Sequence, residues 1–343
     1  MFSRSRKLAA FAAAASVAVP TWALADPVAE FYKGKTVTVL VGLQPGTGFD
    51  IYGRALARHM GKHIPGNPGM VVQNKPGASG VNAANLLYNV GPKDGTIIGT
   101  FPQSFLVEPL FGNDLAKYDA QKFNIIGNME LGTGYCAVST SAGVNTFEDL
   151  QKKEVVWGAT GPTGPLGKSA QALNNLAGTK LKVIYGYKGS ASVKLAIENG
   201  EVKGICGLPY STLKSFWQDQ FDAGKMKVIV QLAGPRHAEW KDVPQLTDYL
   251  KTEESRRLYK LIFATYEISR VFVAPPDVPA DRVAALRKAF EATMKDKAFL
   301  ADAEKTKIEI SPTSAEHVRQ IVADIYNNPP ELVKKADEAT MKK

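Results

Sequence analysis

Val37-Thr38-Val39-Leu40-Val41-Gly42-Leu43-Gln44-Pro45-Gly46-Thr47-Gly48-Phe49-Asp50 is a β-branched run that breaks into a glycine-rich turn and then opens a helix. Glycines let the backbone approach a ligand closely, and a helix beginning after Thr47 offers free N–H groups and a partial positive charge. Downstream, Phe49, Tyr52, Leu56 and Met60 recur at i, i+3, i+7 and i+11, an apolar stripe that runs out near Gly61. One strand, one turn and one helix therefore form a βα unit aimed at an anion.

The unit recurs. Val71-Val72-Gln73 leads through Asn74-Lys75-Pro76-Gly77-Ala78-Ser79-Gly80 into a helix over Val81 to Tyr88, and a strand follows over Thr96 to Phe101. After a strand at Phe123 to Gly127 a second pair begins. Glu154 to Trp157 enters the turn Gly158 to Pro165 and a helix through Leu176, and Val183 to Tyr185 enters Gly186 to Ser190 and a helix through Asn199. Alternating strands and helices predict an α/β fold with mostly parallel sheets, and two pairs predict two walls of a cleft. From Asp277 the chain reads as helical, with Pro279 in a first turn, a short strand at Lys307 to Ile310, a capping box at Thr313 and Glu316, and a last helix from Glu331 to Met341.

Residues 1–25 read as a secretory signal peptide: Arg4, Arg6 and Lys7, an apolar run from Leu8 to Val19, then Ala23-Leu24-Ala25. The run is shorter than the ~20 residues a spanning helix needs. Its removal lowers the formal charge of +9 by three, and the remaining basic residues are interspersed with acids, which excludes a nucleic-acid footprint. Cys136 and Cys206 have no metal spacing; both a disulfide and two buried thiols fit their apolar segments.

Several motifs fail on inspection. Ile51 occupies the third glycine of a dinucleotide fingerprint. Gly167-Lys168-Ser169 resembles the end of a phosphate-binding loop, but Pro162 stands where that loop needs glycine. No Gly-x-Ser-x-Gly elbow is present, and His59 and His63 lack a third metal ligand and read as solvated surface residues. No catalytic constellation, metal site or cofactor emerges.

In this order, Gly34-Lys35-Thr36-Val37, Pro45 to Asp50, Asn74 to Gly80, Pro92-Lys93-Asp94-Gly95, Tyr187-Lys188-Gly189, Asn199-Gly200-Glu201-Val202, Asp242-Val243-Pro244 and Ala274-Pro275-Pro276 resemble the substrate-binding proteins of tripartite tricarboxylate transporters, the Bug or TctC-like receptors. The resemblance implies a type II periplasmic binding protein, with lobe 1 over residues 26–130 and 270–343 and lobe 2 over 131–269. It implies a periplasmic monomer that captures a small carboxylate and passes it to membrane permease subunits. A sensory receptor and a secreted hydrolase are the alternative readings. Ligand contacts would come from Gln44, Gly46, Thr47, Gly48, Asp50, Ala78, Ser79 and Gly80 on one side. Thr160, Gly161, Thr163, Lys188, Gly189 and Ser190 would face them. Family topology sets the strands of Cys136 and Cys206 side by side, which favours the disulfide. Two departures, Thr47 in place of a frequent glycine and Cys206-Gly207-Leu208-Pro209 in place of an acidic strand end, fall near the expected cleft.

Overall fold

A computed structural model describes residues 26–162 and 164–341, so the expected signal peptide and Thr163 lie outside the described residues. Ten strands make two five-stranded sheets. The first contains β1 (Thr36–Val41), β2 (Gly69–Asn74), β3 (Ile97–Thr100), β4 (Asn124–Asn128) and β10 (Val271–Ala274), in the order β2-β1-β3-β10-β4. The second contains β5 (Gly134–Ser139), β6 (Val155–Gly158), β7 (Leu181–Ile184), β8 (Gly204–Leu208) and β9 (Met226–Ala233), in the order β7-β6-β8-β5-β9. In each, the βα units pair in parallel, β1 with β2 and β3, β6 with β7 and β8. The strands nearest the crossings, β10 and β5, pair antiparallel with their neighbours.

Both faces of each sheet are covered, which is why the central strands are apolar throughout rather than alternating. Val39, Val41 and Phe272 pack on one face of the first sheet with Tyr52, Leu56 and Phe290, while Leu40, Val271 and Val273 pack on the other with Leu87, Phe101 and Val318. In the second sheet Cys136, Trp157 and Cys206 join one core, and Tyr135, Ile205 and Trp217 the other. Cys136 and Cys206 form a disulfide between β5 and β8.

The chain passes between the sheets after β4 and returns before β10. The two crossings lie against each other: Met129 N donates to Arg270 O at 3.1 Å and Arg270 N donates to Asn128 Oδ1 at 2.9 Å. Gly132 is forced to be glycine, because a Cβ there would lie 1.5 Å from Tyr266 O.

Three local readings need correction. Residues 307–310 form no strand; the backbone pairing falls at Ser311 and Thr313, which bond to Met129 and Asn128. The Thr313 hydroxyl accepts from Asn128 Nδ2 at 3.0 Å, and Ser314 is the cap of the helix Ala315–Tyr326, accepting from His317 N. Pro279 precedes the helix Ala280–Thr293 as its cap instead of entering its first turn. The last helix, Pro330–Thr340, leaves the first sheet's side and packs Val333, Ala336 and Ala339 among Leu258, Leu261 and Val107.

Candidate functional site

β1 ends in a turn that admits no side chain at its first position, since a Cβ on Gly42 would lie 2.9 Å from Phe101 and 3.0 Å from the Cα of Gly80. Gly46 then takes φ +80°, a left-handed conformation suited to glycine, and the helix Gly48–His59 begins after Thr47. The Thr47 hydroxyl donates back to Gln44 O at 2.8 Å and does not cap the helix. The first bond of the helix runs from Ile51 N to Thr47 O, so the amides of Gly48, Phe49 and Asp50 open it without an intrahelical acceptor.

Asp50 is 2% exposed and its carboxylate is fully engaged. Oδ2 accepts from Gly46 N and Arg54 Nε, and Oδ1 accepts from Asn74 Nδ2, each at 2.9 Å. Burial opposes its ionisation, but hydrogen bonds from Arg54, Gly46 and Asn74 prevail and hold its pKa below the ordinary aspartate value. Asp50 is thus a staple that fixes the turn, rather than a group free to meet a ligand. Arg54 is committed to the same staple, which also reaches Asn74 of β2.

The second loop stores backbone strain. Ala78 and Ser79, neither of them glycine, both take positive φ, +45° and +53°, between Gly77 and Gly80. Gly80 is hemmed in by Pro102, 2.7 Å from where its Cβ would be.

From the second sheet, Thr160 and Gly161 precede the helix Pro165–Ala177, and Lys188 and Gly189 precede the helix Ser190–Glu198. These loops meet those of the first sheet. A Cβ on Gly164 would lie 2.7 Å from Ser79 Oγ, one on Gly189 would lie 4.0 Å from Thr47 Cγ2, and one on Gly48 would lie 3.3 Å from Thr212 Oγ1. Gly46 and Gly161, by contrast, face open space. The structure therefore brings the four loops together in a closed arrangement, with room left beside two of the glycines. Lys188 is exposed, and Gly189 N is already bonded to Ser192 Oγ at 3.1 Å.

Charged groups on the floor of this cleft escaped the sequence reading. Arg270 and Glu130, on the two crossings, lie 3.4 Å apart (Nε to Oε2) and are both almost fully buried. Glu130 accepts from Ser211 Oγ at 2.5 Å, and the Arg270 guanidinium rests against the rings of Phe49 and Tyr52. A charge directly before the apolar strand Val271–Ala274 was the available signal. Beside the floor, Lys168 from the phosphate-loop look-alike lies 3.7 Å from buried Glu108 and 4.8 Å from the ring centre of Phe111.

His59 and His63 are half-buried and bonded to Asp302 and Asp296, at 2.9 and 2.8 Å, contrary to their reading as solvated residues. Among the described residues no group of three metal-ligating side chains assembles.

A family model, the tripartite tricarboxylate transporter family receptor, matches residues 53–337. A UPF0065 protein of Bordetella bronchiseptica is 24% identical over 230 residues, and the match spans 64% of this chain and 64% of that relative's length. The structure of the periplasmic binding protein BugD superposes with a TM-score of 0.69 at 19% identity, covering 91% of this chain and 99% of BugD. An R. palustris protein solved with adipate does so with a TM-score of 0.69 at 18% identity, covering 89% and 97%. At such identities the structural likeness establishes the fold, that of a two-lobed periplasmic binding protein.

Proposed function

Since this chain belongs to the tripartite tricarboxylate transporter receptor family, a family of binding proteins and not of enzymes, we propose that it captures a small carboxylate between two lobes. The observation that carries this reading is the meeting of Ser79 with Gly164 and of Thr47 with Gly189 around open helix starts. Lobe 1 comprises residues 26–130 and 270–343, its last helix reaching across as a strap, and lobe 2 comprises 131–269. Adipate in the R. palustris structural neighbour supports a dicarboxylate within the class of small carboxylates.

Ligand contacts come from the open amides of Gly48 and Phe49, from Ala78 and Ser79, and from the facing loop at Thr160 and Gly161, while Gly46 N, Thr47 N, Gly80 N and Gly189 N are bonded within their own turns and shape the loops. Asp50 acts through the shape of the turn. Micromolar binding needs ~8 kcal/mol net. Three or four charge-assisted hydrogen bonds at ~1.5 to 3 kcal/mol each are on that scale before ordering costs. A ligand that touches both lobes prefers the closed state and shifts the population toward it. The protein works in the periplasm as a monomer and presents its closed surface to a membrane permease.

The test is titration of the purified mature protein with citrate, C4 to C6 dicarboxylates, amino acids and aromatic acids, followed by calorimetry and melting temperature. A ligand at 100 times its Kd adds ~2.7 kcal/mol and raises the melting temperature by several degrees. No response to any acid in the panel would reject the proposal.

A further inference from the structure

We infer that Arg270 is a ligand-recognition residue, a guanidinium on the cleft floor that takes an oxygen of the carboxylate seated at the start of the helix Gly48–His59. This rests on the reading of the cleft as a carboxylate site and adds to it a charged side chain where the backbone alone had sufficed.

A guanidinium carries five N–H donors. Nη1 of Arg270 is satisfied, donating to Ser269 O at 3.1 Å and Ser269 Oγ at 3.0 Å. Nε makes no hydrogen bond of good geometry, its neighbour being Glu130 Oε2 at 3.4 Å, and Nη2 has only a long contact of 3.4 Å to Thr212 Oγ1. Glu130 balances the charge at a distance: its Oε1 accepts from Ser211 Oγ, and its Oε2 accepts from Ser269 Oγ at 3.3 Å while standing 3.4 Å from Nε. A guanidinium 2% exposed thus holds two of its three nitrogens only by contacts of 3.4 Å, looser than buried polar groups usually adopt.

Its position identifies the acceptor. Nη2 lies 3.0 Å from where a Cβ of residue 48 would stand, so glycine at the helix start is what keeps the guanidinium and the first amides of the helix free of an intervening side chain. An anion at the open amides of Gly48 and Phe49 falls within reach of Nη2. The rings of Phe49 and Tyr52, 4.4 and 4.9 Å from Cζ, hold the guanidinium in place. Glu130 offsets the charge while the cleft is empty, and Thr212, from the facing lobe, ties the guanidinium to closure. A planar donor fork matches a carboxylate and finds no equal partner in an uncharged amide.

The experiment compares calorimetric affinities for the tightest acid of the panel and for its primary amide, in the unaltered protein, R270K and R270M/E130Q. The double variant removes both charges, leaving neither buried without its partner. In R270M/E130Q the acid should bind about 10- to 100-fold more weakly while the amide changes less than about threefold, which collapses the acid-to-amide preference. R270K should fall between the two, because it keeps the charge and loses the fork. An acid-to-amide ratio unchanged within about twofold in either folded variant would overturn the role of Arg270 while leaving the carboxylate cleft standing. Failure of the unaltered protein to bind any acid would overturn both.

Discussion

Ser79 and Gly164 stand on opposite sides of the cleft, and a Cβ on residue 164 would lie 2.7 Å from the Ser79 hydroxyl oxygen. A large side chain at position 164 would therefore press on Ser79 and Thr160 in this arrangement. Gly164→Val should hold the lobes apart and weaken ligand binding by about tenfold or more, since a ligand is rewarded only for the closed state it can reach. The melting temperature of the ligand-free protein should barely move. Small-angle scattering should show no contraction when ligand is added to the variant; contraction equal to that of the unaltered protein would count against the role of this contact.

Asp50 is expected to matter through stability as well as binding. Its pKa is depressed in the folded protein, so the carboxylate contributes stability above the unfolded aspartate value and loses it as pH falls through the lower folded value. Asp50→Asn should be less stable than the unaltered protein at neutral pH, by about 1.5 to 3 kcal/mol for hydrogen bonds to a charged group. That gap should narrow under acid. Urea unfolding at neutral and acidic pH measures it, and a gap independent of pH would argue against an ionised staple.

The disulfide between Cys136 and Cys206 encloses a loop with a sequence separation of 70. On the chain-entropy account, closing such a loop stabilises the fold by about 4 kcal/mol. The variant C136S/C206S should melt several degrees below the oxidised protein in a scanning calorimeter, and the oxidised protein under reductant should follow it. Identical melting curves would place the stabilisation elsewhere.

Lys168, on the helix that follows β6 of the second sheet, pairs at 3.7 Å with Glu108, which follows β3 of the first sheet and is 1% exposed. Lys168→Met strands a buried carboxylate, whose loss of a partner costs about 3 to 5 kcal/mol in comparable cases. K168M/E108Q should recover most of that loss in chemical denaturation. If the double variant is no more stable than the single one, the pair is not what stabilises this junction.

Much of the scaffold was legible because its signals are local. The stripe Phe49, Tyr52, Leu56 and Met60 is fully realised as a buried face, and the helix starts at Gly48 as the turn chemistry demands. What was illegible depends on partners far away in sequence. Thr47 and Asp50 have the spacing of a capping box, yet Asp50 bonds to Gly46 and to Asn74, a residue 24 positions on. The Thr313 hydroxyl accepts from Asn128 Nδ2, and Ser314 is the cap. Arg270 and Glu130 lie 140 positions apart and come together only because both crossings pass the same point. Spacing reveals which face of a helix is buried; it cannot reveal which distant charge shares that burial.

The most direct measurement is a crystal structure of the protein with its tightest acid, read at the ligand's carboxylate. The account expects carboxylate oxygens within about 3.2 Å of amide nitrogens from both the Gly48–Phe49 and the Ala78–Ser79 segments, with the facing lobe closed over them. A carboxylate held away from these amides, or bound outside the gap between the two sheets, would contradict it.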